Sequence, residues 1–162
     1  METINQTNLV KSLLILTDFS QSAKNAANYA MNLAIRIKAD LVLFNAYSIP
    51  DVGYNSWTTR TDGNLSKESV DKLGEETIRL QDLISNNPRT FVPKCGFLSM
   101  EGGIADNVNE ILEDRKDLIM VIMGGGKGNG REDMLFGLEI TEILINVKCP
   151  TLIIPNCQYP EF

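Results

Sequence analysis

Short continuous runs of apolar residues alternate along this chain with longer stretches in which apolar residues recur at helical spacing. Four of the runs are largely uninterrupted, and they lie within residues 13–16, 40–47, 117–123 and 150–154. A fifth run, residues 91–100, is broken by Pro93 and Gly96. Continuous runs of this length are typical of strands buried on both faces of a parallel sheet, whereas proline belongs on an edge strand. The pattern predicts five strands, with the third at a sheet edge.

The stretches between these runs have the 3.6-residue period of amphipathic helices. Ser20 is a suitable N-cap for the first helix and Ser66 for the second, while Gly102-Gly103 and Gly137 precede the third and fourth. The predicted inner faces are Ala23, Ala26, Ala27, Ala30, Leu33, Ala34 and Ile37; Val70, Leu73, Leu80 and Ile84; Ile104, Ala105, Val108, Ile111 and Leu112; and Leu138, Ile140, Ile143, Leu144 and Val147. Alternating strands and helices predict a three-layer α/β/α sandwich.

Length, charge and the number of cysteines narrow the class of protein. With 162 residues, a single domain is the simplest expectation. The net charge of −6 and the absence of a basic cluster argue against a nucleic-acid partner. No run is long enough to span a membrane, and the polar start lacks the features of a signal peptide, so a cytoplasmic location is expected. Three cysteines without a CxxC spacing predict neither a disulfide framework nor a zinc site, and no metal site is expected.

The most unusual stretch follows the fourth predicted strand, where Gly124, Gly125, Gly126, Gly128 and Gly130 surround Lys127. Several glycines together weaken a fold unless the backbone needs positive φ or a close approach. A strand, a glycine loop and a helix N-terminus form an anion site, because free N–H groups and the helix dipole point the same way. The spacing matches neither the P-loop nor the dinucleotide-binding fingerprint. A flexible surface connection is the alternative interpretation.

Three segments in this order resemble the universal stress protein family. They are Thr17-Asp18-Phe19-Ser20 after the first strand, Met123-Gly124 with Phe136-Gly137 beyond it, and the closing Cys149-Pro150-Thr151-Leu152-Ile153-Ile154. The resemblance covers residues 11–155 and implies a Rossmann-like, five-stranded parallel sheet in the order 3-2-1-4-5. It implies a domain over residues 11–156, followed by a tail at 157–162. The residues themselves predict a frayed or disordered stretch at 1–10 and, from turn residues without a helical or strand period, a long loop at 48–65.

The same resemblance implies a nucleotide site between strands 1 and 4. Family members that bind ATP use an aspartate after the first strand, which matches Asp18, and main chain at the end of the second strand, here Ala46. Their phosphate loop reads glycine, two residues, glycine, nine residues, glycine, then serine or threonine; this chain matches it imperfectly and has Leu138 at the last position. The residues implied for nucleotide binding are Thr17, Asp18, Ala46, Gly124, Gly125, Lys127, Gly128, Gly137 and Leu138.

The functional expectation is a dimeric, cytoplasmic stress-response module that holds ATP or a related adenine nucleotide, with magnesium only alongside a bound nucleotide. The resemblance implies a homodimer formed through the last strand. The alternative is an interaction protein of the same fold that has lost nucleotide binding. An enzyme is not expected, because the chain lacks histidine and has no evident general base, and it lacks the carboxylate pair and the lysine that a phosphoacceptor receiver domain needs.

Overall fold

The computed structural model describes residues 9–48, 63–86, 91–126 and 131–155, with only the backbone at residues 63 and 131–138. Strands and helices alternate along these residues as predicted. The strands are β1 (Ser12–Leu16), β2 (Asp40–Tyr47), β3 (Cys95–Glu101), β4 (Leu118–Gly124) and β5 (Thr151–Ile154). The helices are α1 (Gln21–Ile37), α2 (Gly63–Ser85), α3 (Ile104–Asp114) and α4 (Arg131–Asn146).

The strands form one parallel sheet in the order β3-β2-β1-β4-β5, which confirms the predicted topology. The central strand, β1, is buried along its whole length. Its pairing with β4 shifts register between Ser12 and Leu13. The third strand lies at an edge, as Pro93 predicted, but it begins at Cys95, after the proline.

Alternate side chains of β1 enter two separate hydrophobic cores. Leu13 and Ile15 pack with the alanine face of α1 and with Leu73, Leu80 and Ile84 of α2. Leu14 and Leu16 pack on the other face of the sheet with residues of α3 and α4. Because successive side chains of a strand point to opposite faces, a continuous apolar run supplies both cores. Truncating any one of these buried leucines to alanine would lower the free energy of unfolding by about 2–5 kcal/mol.

The second helix differs from its prediction at both its start and its inner face. It begins at Gly63, so Ser66 lies inside the helix and the predicted loop 48–65 ends earlier; residues 49–62 are outside the described part of the chain. Val70 is 40% exposed. At 3.6 residues per turn, Val70 lies roughly 60° around the helix from Leu73, at the margin of the buried stripe. Ser69 occupies the opposite margin and is buried.

The fourth helix begins at Arg131, six residues before the predicted start at Gly137. Gly137 therefore lies inside the helix rather than at its N-terminus, which makes that prediction wrong. A single glycine costs a helix only about 1 kcal/mol relative to alanine, and the residues before it are compatible with a helix. Ile143 is buried as predicted, whereas Leu144 is 53% exposed.

The two described cysteines, Cys95 and Cys149, are free thiols of intermediate exposure. Burial, and then the nearby Asp40 carboxylate, raise the pKa of Cys95 to about 11. Burial also raises the pKa of Cys149. Both thiols therefore stay protonated near neutral pH.

Candidate functional site

A cavity of about 210 Å³ opens where the carboxyl ends of β1, β2 and β4 meet the first residues of α3. The order of the sheet reverses between β1 and β4, and crevices at such points bind ligands in open α/β sheets. The predicted residues Thr17, Asp18, Ala46 and Gly124 all line this cavity. The fold thus brings together residues from three segments that lie far apart in the sequence.

The turn after β1 places Asp18 at the cavity. The Thr17 N–H donates to the Phe44 carbonyl at 2.9 Å, and the Thr17 hydroxyl accepts the Phe19 N–H at 3.0 Å. Phe19 has a φ of 65°, a left-handed conformation that reverses the chain. One Asp18 carboxylate oxygen accepts the Ser20 N–H at 3.0 Å, and Ser20 caps α1 as predicted. This hydrogen bond orients the Asp18 carboxylate at the cavity.

The first glycines after β4 have a structural reason of their own. A Cβ on Gly124 would lie 2.6 Å from the Ser22 carbonyl oxygen and 2.5 Å from its Oγ. Gly126 has a φ of 58° and donates its N–H to Ser22 Oγ at 3.0 Å. Gly125 donates to the Ile154 carbonyl at 2.7 Å. The first turn of α1 and the end of β5 therefore hold the start of the glycine loop.

A partly buried hydrogen-bond network supports the opposite wall of the cavity. Asn45 lines the cavity and donates from Nδ2 to the Thr17 carbonyl at 2.7 Å. Ser69 donates its hydroxyl to Asn45 Oδ1 at 2.7 Å and lies 2.7 Å from Ser99 Oγ. Since the Ser69 proton is used on Asn45, the Ser99 hydroxyl is the donor to Ser69. The network joins the ends of β1, β2 and β3 to α2.

Sequence reasoning missed both Ser22 and this network. The Gly126–Ser22 hydrogen bond joins residues 104 positions apart, and the Asn45–Thr17 bond spans 28 positions. The one local signal was Asn45 itself, a polar residue at the end of an apolar strand.

The charged side chains that line the cavity within the described residues are all carboxylates: Asp18, Glu139 and Glu142. Glu139 and Glu142 lie three residues apart on α4. Glu139 is exposed, yet partial desolvation, then repulsion from Asp18 and from Glu142, raise its pKa. No group of three histidine, cysteine or acidic side chains in the described ranges is close enough to hold a metal ion. The carboxylates thus give this part of the cavity a negative potential without forming a cation site.

The remaining predicted site residues are placed less completely. Gly125 lies just beyond the cavity wall, with its N–H bonded to β5. Lys127 and Gly128 are outside the described residues. Gly137 and Leu138 belong to the backbone of α4, directly before Glu139, and not to a helix N-terminus. The glycine loop starts directly after β4, but it does not lead into the start of a helix at Gly137.

Comparison with known proteins agrees with this architecture. The sequence profile of the universal stress protein family matches residues 10–155. A universal stress protein of Methanocaldococcus jannaschii is 28% identical over 155 residues, covering 93% of this chain and 85% of that protein. The chain therefore belongs to the universal stress protein family, as the resemblance implied.

Solved structures of the family share the fold. Universal stress protein UspA from Lactobacillus plantarum superposes with a TM-score of 0.67 at 16% identity, covering 89% of this chain and 97% of the other. A universal stress protein solved in complex with cAMP gives a TM-score of 0.64 at 18% identity, covering 91% and 98%. At these identities the likeness shows a common fold. In the part of the chain that the structure describes, no helix is long and apolar enough to cross a membrane.

Proposed function

We propose that this chain is a cytoplasmic, homodimeric stress-response module that holds an adenine nucleotide in the cavity between β1 and β4. The observation that carries the proposal is the convergence of Thr17, Asp18, Ala46 and Gly124 on one cavity at the point where the sheet order reverses. The family member solved with cAMP supports an adenine ligand.

Three of these residues have a task that follows from their chemistry. One oxygen of Asp18 is engaged by the Ser20 N–H, which leaves the other to accept a hydrogen bond from a ribose hydroxyl. Ala46 lies at the cavity with a small side chain, so the base can approach the main chain of β2. Gly124 adds no side chain to the cavity. Lys127, Gly128, Gly137 and Leu138 stay predicted contacts of the phosphate end, without a serine or threonine hydroxyl at position 138.

We propose binding rather than turnover. Phosphoryl transfer needs cations or N–H donors directed at the developing negative charge. The described charged groups at the cavity have the opposite sign. The described residues also offer no metal-holding cluster of their own. Magnesium would therefore enter only together with the phosphates of a bound nucleotide.

The proposed dimer uses the free edge of β5. This strand is at the end of the sheet, and all four of its residues are partly exposed. Pro150 and Ile154 direct their carbonyls toward β4, where they accept from Val121 and Gly125. Because backbone groups alternate along a strand, Thr151 and Ile153 direct theirs outward. An unpaired edge of this kind is a template for a second copy.

Calorimetric titration of the purified protein with cAMP, AMP and Mg-ATP tests the nucleotide site, with a denatured sample checked first for nucleotide carried from the cell. Binding of at least one ligand, weakened tenfold or more by Asp18→Ala, is the expected result, because the substitution removes a hydrogen bond to a charged acceptor. The exposed Asp82 of α2 lies outside the cavity lining, so Asp82→Ala is the matched control. Absence of binding to all three, with no carried nucleotide, would favour the interaction protein without a nucleotide.

A further inference from the structure

The charge of the described residues that line the cavity is unfavourable for a polyphosphate. From α1 the described lining contributes Ala23, and from α3 it contributes Ile104 with the two glycines before it. From β2 and the residue after it, the lining contributes Asn45, Ala46 and Ser48, which are uncharged. The charged groups are Asp18 after β1 and the two glutamates of α4. Partial desolvation, and then repulsion from Asp18 and from Glu142, raise the pKa of Glu139.

The two glutamates stand where the phosphates would be expected. The proposed phosphate contacts, Gly137 and Leu138, directly precede Glu139 on α4, whereas Asp18 belongs to the part of the cavity assigned to the sugar. The two ends of the ligand would therefore experience different surroundings. A sugar hydroxyl can donate to Asp18, whereas the ionised carboxylates of Glu139 and Glu142 repel a phosphate oxygen near them.

We propose, on the basis of the proposed adenine site, that this cavity selects an adenine nucleoside and discriminates against each phosphate added to it. The expected order of affinity is thus the uncharged nucleoside first, the monophosphates next and a free triphosphate last. Repulsion between two like unit charges about 7 Å apart weakens binding roughly threefold at the dielectric constant of water. The effect is smaller at high salt. Two glutamates acting on several phosphate charges therefore produce a discrimination of at least about tenfold.

The test compares adenosine, AMP and ATP by calorimetric titration without magnesium, at fixed low ionic strength. For the native chain we expect ATP to bind at least tenfold more weakly than adenosine. In Glu139→Gln/Glu142→Gln, the ratio of the two affinities should fall to about threefold or less, since two of the three carboxylates are gone. The matched control is Glu110→Gln/Glu113→Gln, which removes the same two charges at the same spacing from exposed positions of α3 outside the cavity.

The outcomes separate this inference from the proposed function. If ATP binds as tightly as adenosine and the double variant leaves their ratio unchanged, the charge selection is overturned while the adenine site stands. If the control variant changes the ratio as much as the cavity variant, the effect is due to net charge and the inference is also overturned. If adenosine, AMP and ATP all fail to bind both the native chain and the double variant, the adenine site itself fails and the selection fails with it.

Discussion

Replacing Gly124 by alanine would put a methyl group into space that the first turn of α1 already occupies. The new Cβ would lie 2.5 Å from Ser22 Oγ, 2.6 Å from the Ser22 carbonyl oxygen and 2.7 Å from the carbonyl carbon. Two of these atoms are backbone atoms of a buried residue in α1. A side-chain rotation cannot relieve the clash, so the end of β4 and the start of α1 must separate.

The expected loss of stability follows from two contributions. Overpacking of a well-packed region costs about 1–3 kcal/mol. The separation also weakens the 3.0 Å hydrogen bond from the Gly126 N–H to Ser22 Oγ, which is worth about 1 kcal/mol. We expect a fall of about 2–4 kcal/mol in the free energy of unfolding, or roughly 5–15 °C in Tm for a chain of this length.

Urea denaturation followed by circular dichroism measures this change, and Gly96→Ala is the matched control. Gly96 is also a strand glycine, but nothing lies within 4 Å of a Cβ built there, so its replacement should be neutral or stabilise by up to about 1 kcal/mol. Combining Ser22→Ala with Gly124→Ala should restore less than half of the loss, because the Ser22 carbonyl remains. Equal stability of the Gly124 and Gly96 variants would refute the steric explanation.

Three further predictions concern the network, the sheet edge and the pH dependence. Ser69→Ala should lower the free energy of unfolding by about 1–3 kcal/mol, since it leaves Asn45 and Ser99 without their buried partner. The control is Ser66→Ala, which is also within α2. Equal denaturation curves for the two variants would contradict the prediction. Ile153→Pro removes one outward N–H from each of the two copies, and each lost hydrogen bond costs about 1 kcal/mol. The dimer dissociation constant measured by sedimentation velocity should therefore rise roughly thirtyfold, while the circular dichroism spectrum stays unchanged. An unaltered dissociation constant would exclude β5 from the interface. The pKa of Glu139 is raised in the fold, so folding favours its protonated form. This preference adds to the free energy of unfolding at low pH, and the contribution is lost as the pH rises from the ordinary glutamate pKa through the raised one. Glu139→Gln should therefore gain stability relative to the native chain at about pH 7 but not at about pH 4 in paired thermal melts; the opposite pH order would show that the pKa is lowered.

Much of the fold could be predicted because its signals are local. The apolar run of β1, the alanine stripe of α1 and the Ser20 cap each lie within one element, and all three are present in the structure. The order of the strands required the family resemblance, since apolar runs do not specify which strands pair. The start of α4 was mispredicted because Gly137 outweighed the six residues before it, which are helical.

The site was less accessible to sequence reasoning than the fold. Asp18 follows β1, and Ala46 and Gly124 lie at the ends of β2 and β4. The carboxyl ends of these strands share one edge, so topology alone brings the three residues together. Ser22 acts on residues of β4 and the glycine loop, and nothing near it in the sequence indicates that contact. The negative charge from α4 depends on how that helix lies over the sheet, which the spacing of its apolar residues does not determine.

The hydrogen bonds between Asn45, Ser69 and Ser99 make α2 a suitable place to attach an optical reporter. Lys67 is exposed, two residues before Ser69, whose hydroxyl reaches the cavity wall through Asn45. A fluorophore coupled through Lys67→Cys would lie outside the cavity but on a helix bonded to it. The native thiol of Cys95, with its pKa of about 11, reacts slowly at neutral pH, so labelling would favour the introduced cysteine over it. The network that supports the cavity wall thereby makes this small fold a scaffold for a fluorescent sensor.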